Sequence, residues 1–277
     1  MLPHPSLVSD SLLINDAISL LRSFGGRASA VSIVDFVMKI RRPEPALARL
    51  LVTDLIGLDP RLTLNEDMVE LTPDGFDDRE IDGTEFVVFD LETTGSKPPP
   101  DRIIEVGAYR VKGGRVVDEF KSLVNPEMSI PPFITGLTRI SNDMVSAAPL
   151  FAEVATEFLD FIGDSVLVAH NSAFDMSFLN HEIGRIYPKY RVANPCLCTV
   201  RLSRRLVPDI INHKLKTLAE HYEVDLYDHH RAPADARATA HIFINLLSQL
   251  RETGVRDVGS MRRMGSRKYR YAKRPTD

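Results

Sequence analysis

The chain has 277 residues, of which 44% are hydrophobic and 26% are charged, and its formal net charge at pH 7 is −4. This composition excludes a largely disordered chain, and the length fits one medium domain with a smaller one. No apolar run reaches the roughly 18 residues that cross a bilayer, and the first residues lack a secretory signal pattern. We therefore expect a cytoplasmic protein that does not bind membranes. Cys196 and Cys198 alternate across a predicted strand, which argues against a disulfide between them.

Residues 1–75 predict a small α+β domain. Helical spacing of apolar residues predicts three helices, over residues 11–24, 31–39 and 45–56. Two short apolar runs that flank Asn65-Glu66-Asp67 predict a hairpin after them, and this order of elements resembles a winged helix. Residues 1–80 hold eight Arg and Lys against thirteen acids. We therefore favour a protein-docking or structural role for this domain over DNA recognition, which needs cations that face phosphates.

A larger domain is predicted over residues 84–250, after an acidic, turn-rich linker at 76–83. Its predicted order is β-β-β-α-β-α-β-α, which gives a mixed α/β sheet flanked by helices. Gly113-Gly114 predicts a tight hairpin between the second and third strands. The wholly apolar run 166–169 predicts a strand that is covered on both faces.

Residues 251–277 hold nine Arg and Lys against three acids, with Tyr269 and Tyr271 among them. This composition predicts a basic tail. It either binds a phosphate backbone or links to a further domain, and the sequence leaves both alternatives open.

Two acids close the first strand of the larger domain. Asp90 and Glu92 are two residues apart, so they leave the strand on the same side. Such a pair is unfavourable for bare like charges, although it is a good ligand set for a divalent cation. Acid pairs at strand ends are also common on solvated termini. The interpretation therefore depends on Asp175 and Asp235, each in the first turn of a predicted helix, and on His230 in the loop before the second.

Three motifs resemble those of the DEDDh 3′-to-5′ exonucleases, ribonuclease H-like enzymes that include the proofreading epsilon subunit of bacterial DNA polymerase III. They are Phe-Asp-Leu-Glu-Thr-Thr-Gly at 89–95, Ala-His-Asn-Ser-Ala-Phe-Asp at 169–175 and His-Arg-Ala-Pro-Ala-Asp-Ala at 230–236. The segment Ile134-Thr135-Gly136-Leu137-Thr138 is also similar to a family segment. The resemblance implies a ribonuclease H-like fold and release of nucleoside 5′-monophosphates from single-stranded DNA ends in proofreading or repair.

The resemblance also implies the ligands of two metal ions. Asp90, Glu92, Asp175 and Asp235 would hold them, and His230 would orient or deprotonate the attacking water. A site built only from oxygen ligands favours Mg²⁺ or Mn²⁺ over zinc. Five further residues are predicted to line the pocket for the 3′-terminal nucleotide: Leu91, Thr93, His170, Asn171 and Phe174. The spacing leaves His229 a structural or substrate-facing role.

Two alternatives stay open at this stage. An RNA-directed exonuclease of the same superfamily would use the same metal site, so RNA is a second expected substrate beside single-stranded DNA 3′ ends. A non-catalytic scaffold or recruitment protein would keep the fold and recruit partners. The N-terminal domain is the expected contact with a DNA polymerase or repair complex.

Overall fold

A computed structural model describes residues 3–57, 59–73 and 75–265 of the chain. The chain divides into two compact units, Met1–Gly75 with Ile183–Ala193 and Phe76–Glu182 with Asn194–Asp277. In the part of the chain that is described, no helix combines the length and the apolar character needed to cross a membrane.

The regular elements are numbered in chain order. The strands are β1 Leu7–Ser9, β2 Arg27–Ser29, β3 Leu62–Asn65, β4 Met68–Leu71, β5 Phe86–Thr93, β6 Ile103–Lys112, β7 Arg115–Leu123, β8 Val166–Ala169, β9 Tyr190–Val192 and β10 Cys196–Cys198. The helices are α1 Leu12–Ser23, α2 Ala30–Val37, α3 Pro45–Ile56, α4 Pro132–Thr138, α5 Asn142–Ser146, α6 Phe151–Ile162, α7 Ala173–Ile186, α8 Thr199–Leu206, α9 Leu215–His221, α10 Ala232–Glu252 and α11 Val258–Met264.

The first unit contains α1 to α3 and an antiparallel sheet in the order β2-β4-β3. Its core is apolar and includes Ile14, Leu21 and Ile33 from the first two helices and Val69 from β4. The three helices end within two residues of their predicted bounds, and the hairpin β3-β4 turns where it was expected. Strands β1 and β9 form a separate antiparallel pair, which the sequence did not predict. The similarity to a winged helix stays a prediction that this element order supports.

The second unit is built on a five-stranded sheet in the order β10-β8-β5-β6-β7. Strand β8 is parallel to β5 and β10, whereas β6 and β7 run antiparallel to their neighbours. Helix α10 covers one face, where Phe243 packs edge-on against Phe86 of β5 at 5.0 Å. Helix α6 covers the other face through Phe158, whose ring lies 6.1 Å from Phe89. The predicted mixed sheet flanked by helices is therefore confirmed.

The segments predicted as a linker and as the start of a basic tail fold onto this second unit. Ile81 is buried in the same core as Val258 and Met261 of α11. The chain is also tied by its backbone, since the amide of Ile81 donates to the carbonyl of Arg256 at 2.8 Å. The expectation of a tail from residue 251 is thus wrong up to residue 265, because α11 carries an apolar face among its basic residues. Residues 266–277, with Tyr269 and Tyr271, lie outside the described residues.

Candidate active site

Strand β5 presents two carboxylates at its end. Side chains alternate along the strand, so Asp90 and Glu92 share the face of Phe86, the face that α10 covers. Both are half-buried, while the residue between them, Leu91, is 3% exposed on the opposite face. Carboxylate oxygens of Asp90, Glu92 and Asp235 all lie within 4.8 Å of one another. The structure thus brings together two predicted motifs that are more than a hundred residues apart.

A glycine on the neighbouring strand sets the position of Asp235. Gly107 of β6 is paired with Asp90, and α10 begins directly against it. A Cβ atom on Gly107 would lie 2.4 Å from the carbonyl carbon of Ala232 and from the nitrogen of Pro233. Only glycine lets the helix start this close to the sheet. As a result Asp235, in the first turn of α10 and 5% exposed, reaches the carboxylates of β5.

Asp175 approaches from a different element. It lies in the first turn of α7 and is 2% exposed. Burial raises the pKa of Asp175 to about 7, although the backbone N–H groups of Asp175 and Leu91 donate to the carboxylate and partly offset the increase. Among the described residues Asp175 is outside the group of three carboxylates within 4.8 Å. Its charge nevertheless raises the pKa of both Asp90 and Glu92.

The cluster resists ionisation on its own. Burial, followed by the charges of Asp175 and Glu92, raises the pKa of Asp90 well above its usual range. Burial, followed by the charges of Asp235 and Glu105, raises the pKa of Glu92 to about 8. Carboxylates held this close favour a bound proton or a bound cation, and an all-oxygen ligand set suits Mg²⁺ or Mn²⁺. The residues present therefore fit a divalent metal ion.

Two histidines flank Asp235 in the loop before α10. The Nδ1 atom of His229 lies 2.9 and 3.0 Å from the two carboxylate oxygens of Asp235, and the backbone N–H of His230 donates to Oδ2 at 3.1 Å. The two imidazole rings stack with centroids 3.9 Å apart. Burial, followed by the charge of His229, lowers the pKa of His230, so its imidazole is mostly neutral at pH 7. The contact between His229 and Asp235 had no signal in the sequence.

The predicted substrate-binding residues differ in how much surface they offer. The side chains of Leu91 and Thr93 are buried, and the hydroxyl of Thr93 donates to the carbonyl of Gly95 at 2.6 Å. Little of either side chain is therefore accessible to a substrate. Asn171 is exposed in a left-handed backbone conformation with φ of 67°, and Phe174 is half-buried.

His170 lies beneath this surface. Its Nδ1 atom is 2.9 Å from the hydroxyl of Thr199, and the ring is half-buried. Burial lowers the pKa of His170 to about 4, so the imidazole carries no charge near neutral pH. The ring can therefore take part in hydrogen bonds, although it cannot attract a phosphate by charge.

Sequence reasoning missed one buried acid beside the cluster. Glu105 is 2% exposed and lies directly opposite Glu92 in the pairing of β5 with β6. Its carboxylate accepts hydrogen bonds from Nε of Arg231 at 3.1 and 3.0 Å and from the backbone N–H of Ala232 at 2.9 Å. The available signal was a single acid within the otherwise apolar run Ile103-Ile104-Glu105-Val106. Such a residue is rarely buried without a partner.

Residues 134–138, which are similar to a segment of the DEDDh family, lie in α4. Its C-terminal neighbour, Arg139, reaches the loop of residues 228–231 before α10, which we call the histidine loop. Nη1 of Arg139 lies 3.3 Å from Oδ1 of Asp228, and Nη2 donates to the carbonyl of His229 at 3.2 Å. On its outer side α4 exposes Phe133 and Leu137. The histidine loop is therefore fixed from two sides, by Arg139 and by Glu105.

This fold, with acids gathered at the end of its central strand, defines the class of ribonuclease H-like nucleases. The RNase_T exonuclease family model matches residues 87–243, which is more than half of the chain, so the chain belongs to this exonuclease family. The chain is therefore a nuclease, and its predicted similarity to the DEDDh exonucleases is confirmed.

The chain is similar to part of several DNA polymerase III proteins of the PolC type. It is 49% identical to the protein of Caldanaerobacter subterraneus subsp. tengcongensis over 177 residues, which are 64% of this chain and 12% of that protein. It is 37% identical to the protein of Clostridium perfringens over 231 residues, which are 83% of this chain and 15% of that protein. The chain thus spans only a small part of the length of these relatives.

Two solved structures share the fold. Exonuclease X in complex with 5′ overhanging duplex DNA aligns with a TM-score of 0.52 and 26% identity, over 65% of this chain and 99% of that one. Exonuclease I of E. coli in complex with a dT13 oligonucleotide aligns with a TM-score of 0.54 and 17% identity, over 62% of this chain and 42% of that one. At that identity the second likeness concerns the fold alone.

Proposed function

We propose that the chain is a divalent-metal-dependent 3′-to-5′ exonuclease that releases nucleoside 5′-monophosphates from single-stranded DNA ends. One observation carries the proposal, the meeting of carboxylates from Asp90, Glu92 and Asp235 within 4.8 Å at the end of the central strand. Once ionised, carboxylates this close would repel one another and a phosphodiester unless bound cations offset their charge, and the raised pKa values of Asp90 and Glu92 reflect the same cost of ionisation. This requirement supports a reaction at a phosphate that depends on metal.

Each acid has a proposed place. Asp90, Glu92 and Asp235 would hold one divalent cation, and Asp90 with Asp175 would hold a second. When bound, the two cations would supply charge neutralisation, activation of water and stabilisation of the leaving 3′ oxygen. His230 would take the proton of the attacking water, because its lowered pKa leaves the imidazole free to accept it at neutral pH.

The substrate and the process are proposals that the relatives support. The similar proteins are DNA polymerases of the PolC type, and exonuclease X was solved with DNA. We therefore propose that this chain removes nucleotides during proofreading or repair, in association with a DNA polymerase or repair complex that binds the unit Met1–Gly75 with Ile183–Ala193. Its placement in the cytoplasm also stays a prediction. A chain directed at RNA would use the same acids, so the substrate has to be measured.

The test is digestion of matched DNA and RNA oligonucleotides, single-stranded and duplex, with Mg²⁺ or Mn²⁺. The wild-type chain is expected to degrade single-stranded DNA fastest and to stop when EDTA is added. Asp90→Asn is expected to abolish the activity, whereas Asp160→Asn, on the exposed side of α6, is expected to leave it unchanged. Preference for RNA would overturn the substrate proposal. Undiminished activity of Asp90→Asn would overturn the proposed site.

A further inference from the structure

An ion pair with a buried carboxylate lies at the end of the histidine loop. Glu105, the third residue of β6, is 2% exposed, and both of its oxygens accept from Nε of Arg231. The same carboxylate accepts from the N–H of Ala232, the first residue of α10. Arg231 directly follows His230 in the chain. The pair therefore fixes the point where the loop becomes the helix that carries Asp235.

The loop has a backbone conformation that needs such support. Asp228 and His230 both lie in the left-handed region, with φ of 54° and 67°. Residues with a Cβ atom rarely adopt this region, and they keep it only where the surrounding contacts hold them there. Three sets of contacts hold the loop: Arg139 bonds Asp228 and the carbonyl of His229, Asp235 accepts from the backbone N–H of His230 and lies against the ring of His229, and Glu105 holds Arg231 at the start of α10. The Arg139–Asp228 pair is exposed and screened by water, whereas water screens the Glu105–Arg231 pair less, because its carboxylate is 3% exposed and its guanidinium side chain 31%.

We propose that Glu105 and Arg231 are positioning residues that hold His230 in its left-handed conformation beside Asp235. The guanidinium of Arg231 donates from Nε and Nη2 to Glu105, so its fork is directed at β6 and is not free to grip a phosphate. The pair also keeps the charge of Glu105 compensated, where it faces Glu92 across the strands. The catalytic consequence of this inference rests on the proposed exonuclease function, whereas the placement of His230 does not.

The activity test uses the full chain and two ways of breaking the pair. Arg231→Met removes the fork and leaves Glu105 unpaired, and the double variant Glu105→Gln with Arg231→Met avoids an uncompensated buried charge if the single variant does not fold. Both are expected to lower kcat by roughly 10- to 100-fold, with KM for single-stranded DNA nearly unchanged. The matched control is Arg110→Met, which removes an arginine of β6 that donates to Glu85 and is expected to leave kcat unchanged.

Adding Arg231→Met to the His230→Ala variant distinguishes a positioning role of Arg231 from a direct contact with the substrate. If Arg231 acts through His230, Arg231→Met has no further effect on the residual activity of His230→Ala, because the two changes remove the same function. An equal fold loss in both backgrounds would overturn the proposal. A rise in KM without a fall in kcat would also overturn it, since that result would place Arg231 on the substrate.

A readout without turnover keeps the inference independent of the proposed function. The imidazole signals of His230 in ¹⁵N-labelled, metal-free protein are expected to shift or broaden in Arg231→Met and to stay in place in Arg110→Met. Unchanged signals in Arg231→Met would overturn the positioning role. If the wild-type chain releases no nucleotides from DNA, the proposed function fails, and the spectra still decide whether the pair holds His230.

Discussion

Replacement of Glu92 by glutamine is expected to stabilise the metal-free protein at neutral and alkaline pH. Glutamine keeps the shape of the side chain and removes a charge that the folded state disfavours, because burial and the charges of Asp235 and Glu105 oppose ionisation of Glu92. In the wild-type chain these forces raise the pKa of Glu92 from 4.5 to about 8. The group that binds metal is thus expected to destabilise the fold when no metal is bound.

The gain in stability can be worked out from the raised pKa of Glu92. Each pKa unit corresponds to about 1.4 kcal/mol, so Glu92 lowers the free energy of unfolding by on the order of 3 kcal/mol at pH 7. The folded pKa is raised above the unfolded value, so the stability is fully present below the unfolded pKa of 4.5 and is lost as the pH rises to about 8. The penalty in the wild-type chain therefore develops between these two values, and Glu92→Gln removes it.

The assay is urea unfolding in EDTA at pH 5 and at pH 8. Glu92→Gln is expected to be only slightly more stable than the wild type at pH 5, where little of the penalty has developed, and to exceed its free energy of unfolding much more at pH 8. The control Glu157→Gln, on the exposed side of α6, is expected to match the wild type at both. Added Mg²⁺ should narrow the difference by stabilising the wild type, since a ligand that binds only the folded state favours it. A wild type as stable as Glu92→Gln at pH 8 in EDTA would show that the charge of Glu92 does not destabilise the metal-free fold.

Three further predictions concern the same site. Gly107→Ala is expected to lower the free energy of unfolding in urea by about 1–3 kcal/mol, because its Cβ atom would lie 2.4 Å from the start of α10. The control Gly136→Ala, with open space around it, is not expected to destabilise the fold. Equal stabilities of the two variants would contradict this packing. The affinity for Mn²⁺, measured by titration calorimetry, is expected to rise from pH 6 to pH 8. Glu92 and Asp175, whose pKa values are raised to about 8 and about 7, must lose their protons before they bind the ion. An affinity that does not change with pH would contradict this prediction. His230→Ala is expected to keep Mn²⁺ and DNA binding and to lose turnover by about 10²- to 10⁴-fold in a single-turnover assay; near-normal turnover would remove its proposed role.

Much of the second unit could be predicted because its signals are local. The alternation along β5 placed Asp90 and Glu92 on one side, and the structure puts both beside α10. Gly113 and Gly114 have φ of 56° and 74°, the left-handed conformations that their hairpin requires. The spacing of apolar residues indicates helices, and α6 buries Phe151, Val154, Ala155, Phe158, Leu159 and Ile162 at that spacing.

Features that depend on contacts between residues far apart in the chain could not be predicted from the sequence. Strand β1 has only three residues and pairs Leu7 with Val192, so its own sequence carries almost no signal. The face-to-face placement of Glu92 and Glu105 needs the register of β5 with β6, which a single sequence does not give. The same holds for Gly107, whose importance lies in its contact with α10. The prediction of a basic tail rested on net charge alone, so it missed the apolar face of α11, which includes Val258 and Met261.

The polarity of degradation tests the proposed exonuclease activity most directly. Single-stranded DNA that carries one label at its 3′ end, or one at its 5′ end, is incubated with the chain and Mg²⁺, and the products are resolved with time. The proposed function predicts immediate release of a labelled nucleoside 5′-monophosphate from the 3′-labelled strand and a descending ladder from the 5′-labelled one. Release of the 5′ label first, or internal fragments from both strands, would contradict it.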